Sequence, residues 1–191
     1  MDSTKKIDYS KSEAAMRILD TAKRLFYSEG IQSVGIDRIV KESNVAMNTM
    51  YKYFPSKDTL VEVYLTERDK YWMSWLENSV AQVKEPREKL LAIFDALDNW
   101  FHEDVFRGCA FINAYGEVGT TKSYIHNISK YHKEKLYELI LKIAEDAMIV
   151  NKEQVAKEFL ILIEGAIVVA SISENKDAGK TAKKNGRADT K

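Results

Sequence analysis

The chain has 191 residues, 45% hydrophobic and 30% charged, with 29 basic and 29 acidic side chains and a formal net charge of +0. That is enough apolar content to bury a core for one domain or two small ones, while the balanced charge requires any electrostatic case for nucleic acid to be local. A single cysteine, Cys109, excludes an internal disulfide framework and makes a reducing compartment the default.

Punctuation is sparse, with 8 Gly and 2 Pro, which favours long helices over a turn-dense β fold. The start, MDSTKKIDYS, has no apolar core and is not expected to act as a secretory signal. From Lys11 to Glu29 the apolar set Ala15, Ile18, Leu19, Ala22, Leu25 and Phe26 recurs at three and four residues. This is one face of an amphipathic helix, and Gly30 ends it. Gly35 opens a short helix, IDRIVKES, with Ile36, Ile39 and Val40 inward and Asp37 near the positive end of the helix dipole. Asn44 follows at a position where a tight turn needs the left-handed backbone conformation. A third helix spans Met47 to Tyr53, with Val45, Met50 and Phe54 inward and Met47, Asn48, Thr49, Tyr51 and Lys52 more exposed.

Pro55 blocks continuation, and Ser56 caps a long helix over Lys57–Ala81. Further helices are expected at Arg87–His102, Cys109–Glu117, Lys122–Ile149, Lys152–Ser173 and Asp177–Lys184, with disorder in the last residues of the basic tail. No stretch alternates with period two, so no strands are expected and the fold class is all-α. The greasiest run, Phe159 to Ile172, is about fourteen residues long and contains Glu164; a bilayer span needs roughly 18 or more, so it reads as a buried helix. Its apolar character on both sides, with Gly165 and Ala166 allowing close approach, is explained by a buried core or by self-association.

Two short helices joined by SNV, with a preceding helix to pack on, form a helix-turn-helix unit over about 34–53. In that arrangement the third helix enters the major groove with its N-terminal residues at base edges. Asn48 suits adenine, and Thr49 offers a hydroxyl and a methyl for thymine. Tyr51, Lys52 and Tyr53 sit where phenol and ammonium groups meet phosphates, and Lys57 adds a cation at the mouth of the fourth helix.

These residues carry a resemblance. RILDTAKRLFYSEG, VGIDRIVKESNVA and TMYKYFPSKDTLV resemble the DNA-binding region of the TetR/AcrR family of bacterial transcriptional repressors over residues 12–70. RGCAFINAYGEV and LIEGAIVVA are similar to later segments of that family, more weakly. The resemblance implies an N-terminal three-helix DNA-binding domain (11–70) and a C-terminal helical effector-binding and dimerisation domain (71–187). By position it puts base and phosphate contacts on Arg38, Met47, Asn48, Thr49, Tyr51, Lys52, Tyr53 and Lys57. Three positions depart from the pattern: Asn44 stands for a turn glycine, Gly35 for a capping Ser/Thr and Met47 for a frequent Lys. The last two each remove a phosphate contact and imply modest affinity per half-site.

The implied function is a cytoplasmic, homodimeric repressor released from a palindromic double-stranded DNA operator by a small-molecule effector of unknown identity, with no membrane partner. A packed core or an effector cavity explains Tyr64, Tyr71, Trp72, Trp75, Trp100, Phe101, Phe111 and Tyr115 equally. The dimer would be built on Phe159, Ile163, Gly165, Ala166 and Val169. The rival is a helical module that coats DNA without sequence preference or scaffolds proteins. Asn48 and Thr49 at base-reading positions, and the neutral charge, argue against it. Cys109 after Gly108 reads as a buried thiol, with a sensor as the alternative. His102, His126 and His132 lack zinc-ligand spacing and are assigned to surface or packing roles. No nucleophile elbow, phosphate-binding glycine loop or carboxylate pair is present, so neither catalysis, a cofactor nor a metal is expected.

Overall fold

The computed structural model describes residues 9–189, so most of the N-terminal decapeptide and the last two tail residues lie outside the described residues. Among the described residues all regular structure is helical. A 3-10 turn at Tyr9–Lys11 precedes α1 (Glu13–Glu29), α2 (Ile36–Ser43), α3 (Met47–Tyr53), α4 (Lys57–Ala81) and α5 (Pro86–Phe101). Then come α6 (Ala110–Ala114), a π-helical turn at Tyr115–Gly119, α7 (Ser123–Asp146), α8 (Lys152–Ile172) and α9 (Ala178–Asp189). No helix among the described residues is long and apolar enough to cross a membrane.

Local chemistry sets most boundaries. Ser12 Oγ accepts from the Ala15 amide at 3.3 Å and starts α1; Gly30, at φ 88°, ends it with its N–H on the Phe26 carbonyl. Ser56 Oγ accepts from the Thr59 amide at 3.1 Å and starts α4. The apolar set expected of α1 is buried as a whole. α2 and α3 pack on α1, and α1 packs on α4, which also reaches α5 and α7, so one continuous helix serves both halves of the molecule.

Three boundaries differ from the sequence reading by more than two residues. The helix expected over Cys109–Glu117 is a short α6 followed by the π-helical turn. Gly116 and Gly119 weaken the α conformation there, and the Tyr115 ring lies so close over Gly119 that a Cβ would collide with it. α7 stops at Asp146 instead of running to Ile149: Met148 takes a left-handed φ of 54°, and the Ile149 amide bonds back to the Ala144 carbonyl. α9 continues past Lys184 to Asp189, because Ala178, Ala182 and Gly186 repeat every four residues and let the helix settle on α5 and α8. A Cβ at Gly186 would meet Phe94 and Phe159 at 3.0 Å.

The core beneath is aromatic, with Phe94, Phe101, Phe111 and Phe159 fully buried, and it encloses the buried carboxylate of Asp69. Asp69 accepts from His132 Nδ1 at 2.8 Å and from Lys135 Nζ at 2.8 Å. Phe111 stacks on the His132 ring at 3.9 Å, and Trp72 meets it edge-on at 5.2 Å. His132 is thus a core residue held by a carboxylate. Burial pushes its pKa down, against the opposing pull of Asp69. Burial works against the Asp69 carboxylate too, but the bonds from His132 and Lys135 outweigh it and hold its pKa below the usual range.

A histidine depressed in the folded state contributes stability that is present above its unfolded value of about 6.5 and lost as pH falls through the folded value. Thermal unfolding should therefore show a lower Tm at pH 5 than at pH 7, and His132→Gln should shrink that difference. Equal drops in the two proteins would detach His132 from the effect.

Candidate nucleic-acid interface

The turn between α2 and α3 closes on backbone bonds. Asn44 adopts φ 52°, ψ 53°, its N–H reaches the Val40 and Lys41 carbonyls, and the Val45 amide bonds to Val40 O at 3.3 Å. This is the six-to-one closure of a helix end around a left-handed residue, with asparagine in the place glycine most often fills. Gly35 and Ala46 precede α2 and α3 without any side-chain cap, so both short helices rely on packing.

α3 is divided by its own period. Met50 and, just past its end, Phe54 are fully buried, and Val45 packs half-buried beside them. The Phe54 ring lies tilted against that of Tyr9, with centres 6.0 Å apart. Asn48, Tyr51 and Lys52 stand on the opposite, solvent-exposed side, with Tyr51 49% exposed. Met47, Thr49 and Tyr53 are half-buried at the edges, with Lys52 Nζ 5.2 Å from the Tyr53 ring centre.

The flanking cations are less free than their positions suggest. Arg38 makes a bidentate pair with Glu29, and its Nε donates to Glu42 at 2.7 Å. Those hydrogen bonds push its pKa further up. Arg24 reaches Glu42 as well, at 2.5 Å. α3 itself carries no acid, whereas this neighbouring cluster holds Glu29 and Glu42. Lys57 is half-buried at the start of α4, where burial lowers its pKa against the pull of Glu117 and Asp58.

Glu117 belongs to the π-helical turn, yet it ties into the head: its Oε2 accepts from the Gln32 amide at 2.8 Å and its carbonyl from Gln32 Nε2 at 2.5 Å. Lys122 and Tyr124 hold Asp58 at 2.8 and 3.2 Å. The Tyr27 hydroxyl donates to Gly108 O and accepts from the Arg107 amide, both at 3.0 Å. Sequence reasoning missed this joint. Its only local sign was the glycine pair in YGEVG, which marks an irregular helix without naming its partner.

The aromatic residues expected around one cavity are separated. Tyr64, Tyr71 and Trp75 share a face of α4 and line an open groove beside α1. Trp72, one residue on from Tyr71, projects about 100° away and packs inward with Trp100 and Phe111. The void those three border measures about 10 Å³, too little to hold more than a single water. Phe101 is core, and Tyr115 is exposed beside His126 at 5.7 Å.

The partner-facing set divides likewise. Phe159, Ile163 and Ala166 are buried inside the chain itself, under α5, α7 and α9, and present nothing to a second copy. Gly165 and Val169 point outward with Ile161 and Ile172, which are 71% and 78% exposed. Cys109 is buried, with Lys133 Nζ at 3.4 Å and Glu164 bonded to the same ammonium at 2.7 Å.

An all-helical chain with a helix-turn-helix head on a larger helical body defines a class of regulatory protein. The family of bacterial regulatory proteins of the tetR type matches residues 18–64. A TetR-family transcriptional regulator of Streptomyces coelicolor superposes with a TM-score of 0.87 at 26% identity, over 95% of this chain and 96% of that one. A helix-turn-helix transcriptional regulator of Mycobacterium tuberculosis is 36% identical over 78 residues, so the match spans 41% of this chain and 39% of that relative. The regulator YjdC of Escherichia coli is 22% identical over 153 residues, 78% of this chain and 79% of that protein. Residues 18–64 thus carry a tetR-type region, and the chain as a whole shares the fold of a TetR-family transcriptional regulator.

The turn makes a direct stability prediction. Asn44→Gly should leave stability equal or slightly higher, whereas Asn44→Val forces a β-branched residue into the left-handed region and should cost about 1–2 kcal/mol in urea unfolding. A Val variant as stable as the Gly variant would contradict the assigned turn geometry.

Proposed function

We propose that this protein is a cytoplasmic, sequence-specific DNA-binding repressor that acts as a homodimer and is released from a palindromic operator by a small-molecule effector. The observation that carries the reading is the two-sided α3: Met50 and Phe54 lock it into the core while Asn48, Tyr51 and Lys52 face solvent together. A helix so held can lie in the major groove with its first turn at base edges. In this reading Asn48 and Thr49 read bases, and Tyr51, Lys52 and Tyr53 meet phosphates, with Met47 at the groove edge. Arg38 joins them after exchanging Glu29 and Glu42 for phosphate, Lys57 joins them from the start of α4, and residues 11–70 form the DNA-binding part.

Residues 71–187 form the effector-binding and dimerising part. The stripe Ile161, Gly165, Val169 and Ile172 supports dimerisation, since it follows one face of α8 and no helix among the described residues covers it. A two-fold through it would pair α8 and α9 of each protomer and hold two α3 helices about 34–36 Å apart, or a multiple of that. Effector binding would alter that spacing, and operator would weaken effector binding by the same factor.

A gel shift against an operator selected from random duplexes tests the DNA roles. Asn48→Ala should relax selectivity at one base position at a cost of about 1–3 kcal/mol, and Tyr51→Ala should weaken all duplexes alike. Uniform loss from Asn48→Ala, or no preference for any duplex as salt rises, would refute the reading. For the dimer, a Cβ at Gly165 meets nothing within 4 Å in the protomer, so Gly165→Arg should fold, with circular dichroism as the check. Light scattering should report monomers, and an intact dimer would remove this face from the interface.

A further inference from the structure

An open groove lies between α1, the middle of α4 and the loop from α5 to α6, with a volume of about 1000 Å³. That is the upper end of the range for small-molecule sites. We propose that this groove binds an organic anion with a flat apolar body, its charge held by Arg68 and Arg107 and its body by Tyr71 and Trp75.

The charges of the groove leave those two arginines over. Of its five cations, Lys23 lies 3.5 Å from Asp20, Lys70 is 2.8 Å from Glu67, and Arg24 is bonded to Glu42. Both acids of the lining are used in these pairs, and Glu67 also accepts from the Tyr9 hydroxyl at 3.1 Å. Arg68 has no carboxylate partner among the described residues. Its guanidinium lies over the Tyr27 ring at 4.3 Å and near the Tyr71 ring at 5.8 Å. Stacking occupies the face of the group and leaves its N–H edge for a carboxylate or sulfonate fork. Arg107 gives one nitrogen to the Asp104 and Phe106 carbonyls at 2.9 and 2.7 Å and meets no carboxylate either.

Two guanidiniums without counter-ions, beside exposed aromatic surface, select the ligand class. A cation would be repelled, and a neutral lipophile would leave both arginines unused. Tyr71 is 64% exposed and Val105 66%, so apolar surface is open to a flat ring system. The site also straddles the joint. Tyr27 fastens the loop at Arg107 and Gly108 to α1, so an occupant gripping Arg107 acts on the contact between head and body. That this changes operator affinity rests on the DNA-binding reading above; the binding itself does not.

The test uses the full chain without DNA and two dyes of similar shape: 8-anilinonaphthalene-1-sulfonate, an anion, and N-phenyl-1-naphthylamine, which is neutral. Fluorescence titration should show the anion binding at one site per chain. Its affinity should fall at least tenfold in Arg68→Gln and in Arg107→Gln and stay unchanged in Lys157→Gln, an exposed cation on α8. The neutral dye should change less than twofold, and Arg68→Lys should restore part of the loss. Circular dichroism identifies any variant that fails to fold, and Arg107, on an exposed loop, carries the test if Arg68→Gln does so. No binding of the sulfonate, binding indifferent to both arginines, or equal loss of the two dyes would overturn the proposal. A protein that passes this test yet selects no duplex would refute the repressor reading alone.

Discussion

A seven-residue helix has no stability of its own: nucleation costs more than two turns of hydrogen bonds return, and isolated helices need roughly 12–15 residues even to be marginal. α3 therefore exists because Met50 and Phe54 are fully buried against the neighbouring helices. The same burial orients it, because fixing positions 50 and 54 inward leaves 48, 51 and 52 no direction but outward. The turn before α3 adds little freedom. Asn44 in the left-handed region and the backbone bond from Val45 to Val40 set the angle between α2 and α3 with no side-chain cap at either N-terminus. The exposed face follows from a packing constraint, and the chemistry that face offers follows from which residues were left over.

The connection from head to body is of another kind. α4 runs through both, buried at Leu60, Val61, Tyr64 and Leu65 near one end and at Trp72, Met73, Leu76 and Val80 toward the other. Alongside this continuous apolar seam the two parts meet in separate polar contacts: Tyr27 with the Arg107–Gly108 backbone, Gln32 with Glu117, and Asp58 with Lys122 and Tyr124. Each such bond is worth about 0.5–1.5 kcal/mol net, since water can replace it. Coupling between two sites is typically about 1–3 kcal/mol, the same scale. A ligand at this joint could shift the head by exchanging one or two of these bonds, which repacking the aromatic core could not do at comparable cost. The core offers no such play: Trp72, Trp100 and Phe111 fill it, and the hydrogen-bonded pair of Asp69 and His132 is locked beneath two rings.

Much of the helical order was legible because local rules produce it. Period 3.6 selected the buried face of α1 residue by residue, Ser56 started α4, and Gly30 stopped α1. Where the boundaries moved, the cause lay elsewhere in the chain. α9 extends because α5 and α8 offer it a surface for Ala178, Ala182 and Gly186; read alone, its basic composition suggested a loose tail. Arg38 looked like a free phosphate ligand because its partner Glu29 stands nine residues away on another helix. Trp72 and Trp75 looked alike in the sequence, three residues apart, yet one is core and the other lines a groove, since the neighbours of α4 differ from side to side.

By itself, then, the order of residues determined which segments are helical, that α3 has an apolar side and a hydrogen-bonding side, and that Asn44 could make the turn between them. Those outcomes depend on neighbours within about four positions, where backbone geometry alone dictates who meets whom. Tertiary structure decided the rest: that Phe159, Ile163 and Ala166 serve the inside of the chain while Ile161, Gly165, Val169 and Ile172 stay uncovered, that the space between Trp72, Trp100 and Phe111 closes to about 10 Å³, and that Arg68 and Arg107 line one groove without a carboxylate partner. Those outcomes depend on contacts across tens of residues, where each helix can be turned to more than one face until the others are in place.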